Sequence, residues 1–87
     1  EDVRQSEAQA QAVRDELAAT RAELDAAEAD LQRFEALLQA NAGSRKQRDD
    51  ALARRDIARE RVQASQSRLR AAEQNVVRLQ AGARPCA

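Results

Sequence analysis

Trp, Tyr, Met and His are absent from this 87-residue chain, and Phe34 is its single aromatic residue. An ordinary globular core draws heavily on large aromatic side chains, so that class of interior is excluded. Without histidine the chain lacks the commonest general acid–base group and metal ligand. The lone Cys86 can form neither an intrachain disulfide nor, by itself, a zinc site. It reads as incidental and carries no information about redox compartment. No run of about 18 apolar residues is present, so no membrane span is expected. Neither a signal peptide nor an initiator Met is found, and the chain is expected to be a piece of a longer protein whose anchor and targeting signals lie elsewhere.

Breakers are equally scarce, with one proline (Pro85) and two glycines (Gly43 and Gly82). Alanine, leucine, glutamate, glutamine and arginine dominate, all strong helix formers. Charged residues make up 34% of the chain and cancel to zero net charge. The cancellation is uneven: residues 1–42 carry −6 and residues 43–87 carry +6. Opposite halves of this kind suggest that each is the other's partner.

A seven-residue repeat organises both halves. Val3, Ala10, Leu17, Leu24, Leu31 and Leu38 occupy position a of the first, with Ser6, Val13, Thr20, Ala27, Phe34 and Asn41 at d. In the second, Arg48, Arg55, Val62, Leu69 and Val76 take a, and Ala51, Ala58, Ser65, Ala72 and Leu79 take d. Sustained heptads predict coiled-coil helices. The repeat is interrupted between Arg33 and Ser44, where Gly43 suits a left-handed helix cap. Ser44-Arg45-Lys46-Gln47 then has the form of a capping box. Gly82 and Pro85 are expected to close the far end. The fold class is therefore all-α, a two-helix antiparallel coiled-coil hairpin with arm one at 1–42, tip at 43–45, arm two at 46–82 and a tail at 83–87.

Folding at Ser44–Arg45 pairs residues whose numbers add up to about 89 and sets each a against a d. The expected layers are Val13/Val76, Leu17/Ala72, Thr20/Leu69, Leu24/Ser65, Ala27/Val62, Leu31/Ala58 and Leu38/Ala51, mostly large against small. Phe34 against Arg55 and Asn41 against Arg48 are the poor layers. On the flanks, Glu16, Glu23 and Asp30 face a row containing Arg54, Arg61 and Arg68, with Glu28 near Arg59 and Arg14 near Glu73. A continuous helix in a parallel dimer would instead bring Glu23 toward Glu28 and Asp30 toward Glu35 of its partner, like against like. The hairpin is the favoured arrangement, each arm about 60 Å long at 1.5 Å per residue.

Catalysis is not expected. No P-loop or glycine-rich phosphate cradle occurs, and carboxylates on a two-helix rod are solvated, with no pocket to shift them. No cofactor or metal is implied. Arm two is rich in arginine (Arg45, Arg48, Arg54, Arg55, Arg59, Arg61, Arg68, Arg70 and Arg78), which raises nucleic acid as a partner. Many of these arginines face acids, however, and no aromatic residue on that arm can stack a base. Ala8, Ala12, Ala19, Ala22, Ala26, Ala29, Ala36 and Ala40 give arm one a smooth outer surface, and Ile57 and Val77 fall outside the seam of arm two. Helix propensity alone accounts for such alanines; side-by-side packing of hairpins does so too. At the tip, Arg33, Leu37 and Ser44 are spaced by four and then seven residues, about three turns on a continuous helix. They predict a docking edge of guanidinium, apolar side chain and hydroxyl.

Arg33-x3-Leu37-x6-Ser44 resembles the tip motif of HlyD-type membrane fusion proteins, the periplasmic adaptors of tripartite export systems. The likeness extends over Glu7-Ala8-Gln9-Ala10-Gln11-Ala12 and the closing Leu79-Gln80-Ala81-Gly82-Ala83-Arg84-Pro85. The family usually has an apolar residue before the serine and a leucine four after it, where this chain has Gly43 and Arg48. The resemblance implies a periplasmic hairpin whose Arg33, Leu37 and Ser44 meet a TolC-type outer-membrane channel. It further implies an inner-membrane transporter reached through other domains, assembly with copies of itself, anchoring at the inner membrane of a Gram-negative bacterium, and no nucleic acid. The alternatives are a nucleic-acid-binding coiled-coil arm and a generic dimerising coiled coil.

Overall fold

A computed structural model describes residues 2–83 as two long helices, α1 (Val3–Gln39) and α2 (Arg45–Ala83), packed along one another. The molecule is a rod of 72 × 17 × 14 Å, an antiparallel α-hairpin. Neither helix is long and apolar enough to cross a membrane. Cys86, Pro85 and nearly all of the expected tail lie outside the described residues.

The heptads form the seam. Of the a and d residues on both arms, all are buried or half-buried except Asn41. Ala10, Leu17, Leu31, Ala51, Ala58 and Val62 are the buried apolar residues, joined by the hydroxyls of Ser6 and Ser65. Ile57 and Val77 lie outside the seam and are more than half exposed, at 54% and 56%. Polar positions at a are handled by snorkelling. Arg55 buries its stem and turns its guanidinium onto Asp56 at 2.9 Å, and Arg48 does the same with Asp49 at 2.7 Å.

The register differs from the one expected. Glu7 and Gln80, Arg14 and Glu73, Glu16 and Arg68, Thr20 and Ser65, and Glu23 and Arg61 are the cross-arm partners, and their numbers add up to between 84 and 87. The hydroxyl contact across the seam joins d to d, and the arms are offset from layers whose numbers add up to about 89. Ala10 and Val76 share one flank of the seam, and Val13 and Ala72 the other. Asp30 bonds Arg33 on its own helix at 2.8 Å. Among the described residues no ion pair joins Asp30 to Arg54 or Glu28 to Arg59.

The turn explains the offset. α1 begins at an Asp2 cap, whose carboxylate accepts from the Gln5 amide at 2.8 Å. It stops at Gln39, three residues before the expected end of arm one. There the Asn41 amide donates to the Leu38 carbonyl at 3.0 Å and the Ala42 amide to the Leu37 carbonyl at 2.8 Å, the paired bonds of a Schellman stop. The left-handed residue is Asn41, with φ 59°, and no glycine among the described residues has a positive φ. The expected cap at Gly43 is therefore corrected: Asn tolerates the left-handed region and takes the role two residues earlier. Gly43 is required for a different reason. A Cβ there would lie 3.0 Å from Leu37 Cβ and 3.3 Å from the Leu38 nitrogen, because the loop folds back onto the last turn of α1. Gly82 does not stop α2, which continues to Ala83.

Two substitutions separate these roles. Asn41→Gly removes a side chain from a left-handed position and is expected to raise stability by up to about 1 kcal/mol. Gly43→Ala places a Cβ against backbone that cannot swing aside and is expected to cost about 1–2 kcal/mol. Urea titrations followed by circular dichroism check both. Equal effects of the two changes would overturn the assignment of separate roles.

Candidate functional site at the hairpin tip

The tip is built from the last two turns of α1, the loop 40–44 and the first turn of α2. Arg33 lies on the outside of α1 with 63% of its side chain exposed. Its guanidinium is bounded by the Asp30 carboxylate at 2.8 Å and the Phe34 ring, whose centroid is 5.4 Å from Cζ. A cation over an aromatic face is held electrostatically, so Phe34 serves both the seam and the orientation of Arg33. Four residues on, Leu37 is on the same side of α1 and 36% exposed. The Gly43 backbone rests against its Cβ.

Ser44 is the N-cap of α2. Its hydroxyl oxygen accepts from the Gln47 amide at 3.1 Å, and its carbonyl accepts from the Arg48 amide at 3.2 Å. This is the serine half of the expected capping box. The residue is exposed, and its hydroxyl hydrogen remains able to donate outward. Beyond it, Lys46 donates to Asp50 at 2.9 Å. That hydrogen bond first, then the charge of Lys46, opposed by burial and aided last by the charge of Arg54, holds the Asp50 carboxyl below its ordinary value of 3.8.

The three predicted residues do not lie on one helical stripe. Because α1 ends at Gln39, Ser44 belongs to the second helix, and the three-turn spacing argument does not apply to it. Arg33 and Leu37 share a helix face, and Ser44 is brought to their end of the rod by the loop seated on Leu37. Sequence reasoning missed Asn41 as the left-handed stop, though asparagine before glycine at a heptad break was an available signal. It also missed the ordering of Arg33 by Phe34, since a lone aromatic at d reads as core. Among the described residues no group of three or more His, Cys, Asp or Glu side chains could hold a metal ion.

Ser44→Ala is expected to destabilise the hairpin by about 1 kcal/mol through loss of the cap, with Ser44→Asp restoring it. Asp50 has a lowered folded value, so its contribution to stability is present above pH about 3.8 and is lost as pH falls through that lower value. Thermal melts between pH about 5 and 2 should therefore show a steeper acid loss for the parent chain than for Asp50→Asn, which lacks the titrating group. Identical acid profiles would exclude the Lys46–Asp50 pair as a contributor.

No family model matches the chain, and no curated protein sequence or solved structure matches it either.

Proposed function

We propose that this chain is the periplasmic hairpin of an HlyD-type adaptor and docks by its tip onto a TolC-type outer-membrane channel. The observation that supports this reading is the tip. A rod 72 Å long ends in a short capped turn with Arg33, Leu37 and Ser44 at its surface, each held by the hairpin itself. Arg33 offers a charged donor fork, Leu37 an apolar contact, and Ser44 a hydroxyl donor. All three suit the backbone carbonyls and small crevices of another helix–turn end. Other domains of the same protein would connect the open ends of the arms to an inner-membrane transporter. The alanine-rich flank of α1 and the exposed Ile57 and Val77 would lie against neighbouring copies.

Site-specific photocrosslinking tests this in Gram-negative cells that carry a TolC-type channel, with the probe introduced into the full-length protein. A photoreactive residue at position 37 should give a channel adduct, whereas one at the exposed mid-rod position Ala22 should not. Combining Arg33→Ala with Ser44→Asp, which keeps the cap, should reduce the position-37 adduct by about tenfold, equivalent to about 1.4 kcal/mol of docking energy. An adduct of equal yield at both positions, or none at position 37, would rule out tip docking. A salt-sensitive adduct with nucleic acid would instead favour an RNA- or DNA-binding arm.

A further inference from the structure

We infer that the hairpin tip neutralises its own cations and thereby selects an uncharged partner surface, lined with the backbone carbonyls of another protein's helix–turn ends, over an anionic one. The choice of partner rests on the docking proposal above, whereas the tip's behaviour toward anions is a property of this chain alone. Residues 30–50 contain four bases (Arg33, Arg45, Lys46 and Arg48) and four acids (Asp30, Glu35, Asp49 and Asp50), so the tip is neutral although the two arms differ in sign. Its charges are also matched in place. Arg33 bonds Asp30 at 2.8 Å, Lys46 bonds Asp50 at 2.9 Å, and Arg48 bonds Asp49 at 2.7 Å, each within its own helix. The Lys46 hydrogen bond and charge lower the Asp50 carboxyl, which keeps that pair ionised. Among the described residues Arg45 and Glu35 have no ion pair, and they are of opposite sign.

A paired cation and a bare one recognise different groups. The three pairs reach solvent and are weak as sources of stability, but they govern what can approach. A phosphate or carboxylate that reaches the Arg33 guanidinium also nears the Asp30 carboxylate, and repulsion cancels much of the attraction. A carbonyl oxygen carries no net charge and meets the same donors without that penalty. Arg33 keeps such donors available. A guanidinium has five N–H groups, the Asp30 bond is made by Nη2, and 63% of the side chain is exposed.

Phe34 completes the arrangement. Its ring centroid lies 5.4 Å from Arg33 Cζ, so the guanidinium is held between the ring and the Asp30 carboxylate. What stays open is a positioned set of donors on the same side of α1 as Leu37. Donors beside an apolar contact suit a turn in which carbonyls and small side chains alternate, and they do not suit a polyanion. The arginines farther along α2 follow the same pattern, since Arg61 and Arg68 are occupied by Glu23 and Glu16 of α1.

Two variants of equal net charge test this in the full chain, with a short fluorescent DNA duplex as the anionic probe. Asp30→Asn with Asp49→Asn and Asp50→Asn uncovers the tip cations. Asp15→Asn with Asp25→Asn and Glu60→Gln removes exposed acids from the shaft instead. By fluorescence anisotropy at low salt, the tip variant is expected to bind at least about tenfold tighter than the shaft variant. Equal affinities would overturn self-neutralisation of the tip. If the tip variant loses its helical circular dichroism, Asp30→Asn compared with Asp25→Asn decides, with an expected ratio of about threefold. In envelopes carrying the full-length protein, the position-37 channel adduct should change by less than about twofold between low salt and about 0.5 M salt, because no charged contact is there to be screened. A fall of about tenfold would overturn the choice of an uncharged partner. Absence of a position-37 adduct would sink tip docking, and the duplex comparison would still decide whether the tip refuses anions.

Discussion

Because a two-helix rod has no third element to correct a misaligned pair, its register has to be fixed where the chain reverses. In this hairpin that task falls on five residues between Gln39 and Arg45. The bonds from Asn41 and Ala42 back to Leu38 and Leu37 close α1, and the loop then lies so near Leu37 that position 43 cannot carry a side chain without disturbance. Ser44 starts α2 immediately. Each step leaves little freedom, so the offset between the arms is set before any seam layer forms. A turn centred two residues later would move every partnership along the rod by about one helical turn.

The seam then stabilises the offset without uniquely specifying it. Alanines and serines alternate with Leu17, Leu31 and Val62 among its buried residues and let the helices approach closely. Each fully buried Leu or Val contributes about 1.5–3 kcal/mol, but such contacts are non-directional and tolerate a heptad's alternatives. Direction comes from the polar groups. The flanking pairs are exposed, as with Arg14 and Glu73 at 47% and 46%, so each adds at most about 1 kcal/mol. The hydroxyl contact between Thr20 and Ser65 is the discriminating one, since Ser65 is buried and a buried hydroxyl without a partner is costly.

The sequence made the hairpin legible to a considerable depth. Heptads, charge asymmetry and the break before Ser44 identified the two arms, the seam residues and the N-cap of α2. Three partners of opposite charge were anticipated by row: Arg14 with Glu73, Glu16 with Arg68 and Glu23 with Arg61. The axial offset was not legible, because it depends on where α1 stops, and that is Gln39 rather than the residue before Gly43. The cap position was missed for a related reason. Glycine is favoured over asparagine for the left-handed region on intrinsic grounds, whereas here the close approach to Leu37 already determines what Gly43 must do. At the tip, residue identity was readable, but the placement of Ser44 on the second helix depended on where α1 stops.

That placement bears on how a surface can be specific on so thin a scaffold. With no deep core available, the tip residues are positioned by local contacts that also maintain the hairpin. Arg33 is oriented by Asp30 and Phe34, Leu37 is the seat of the loop, and Ser44 caps a helix. A partner that engages these groups therefore engages the turn that sets the register. The same few bonds thus fix the alignment of the arms and the shape of the surface they present.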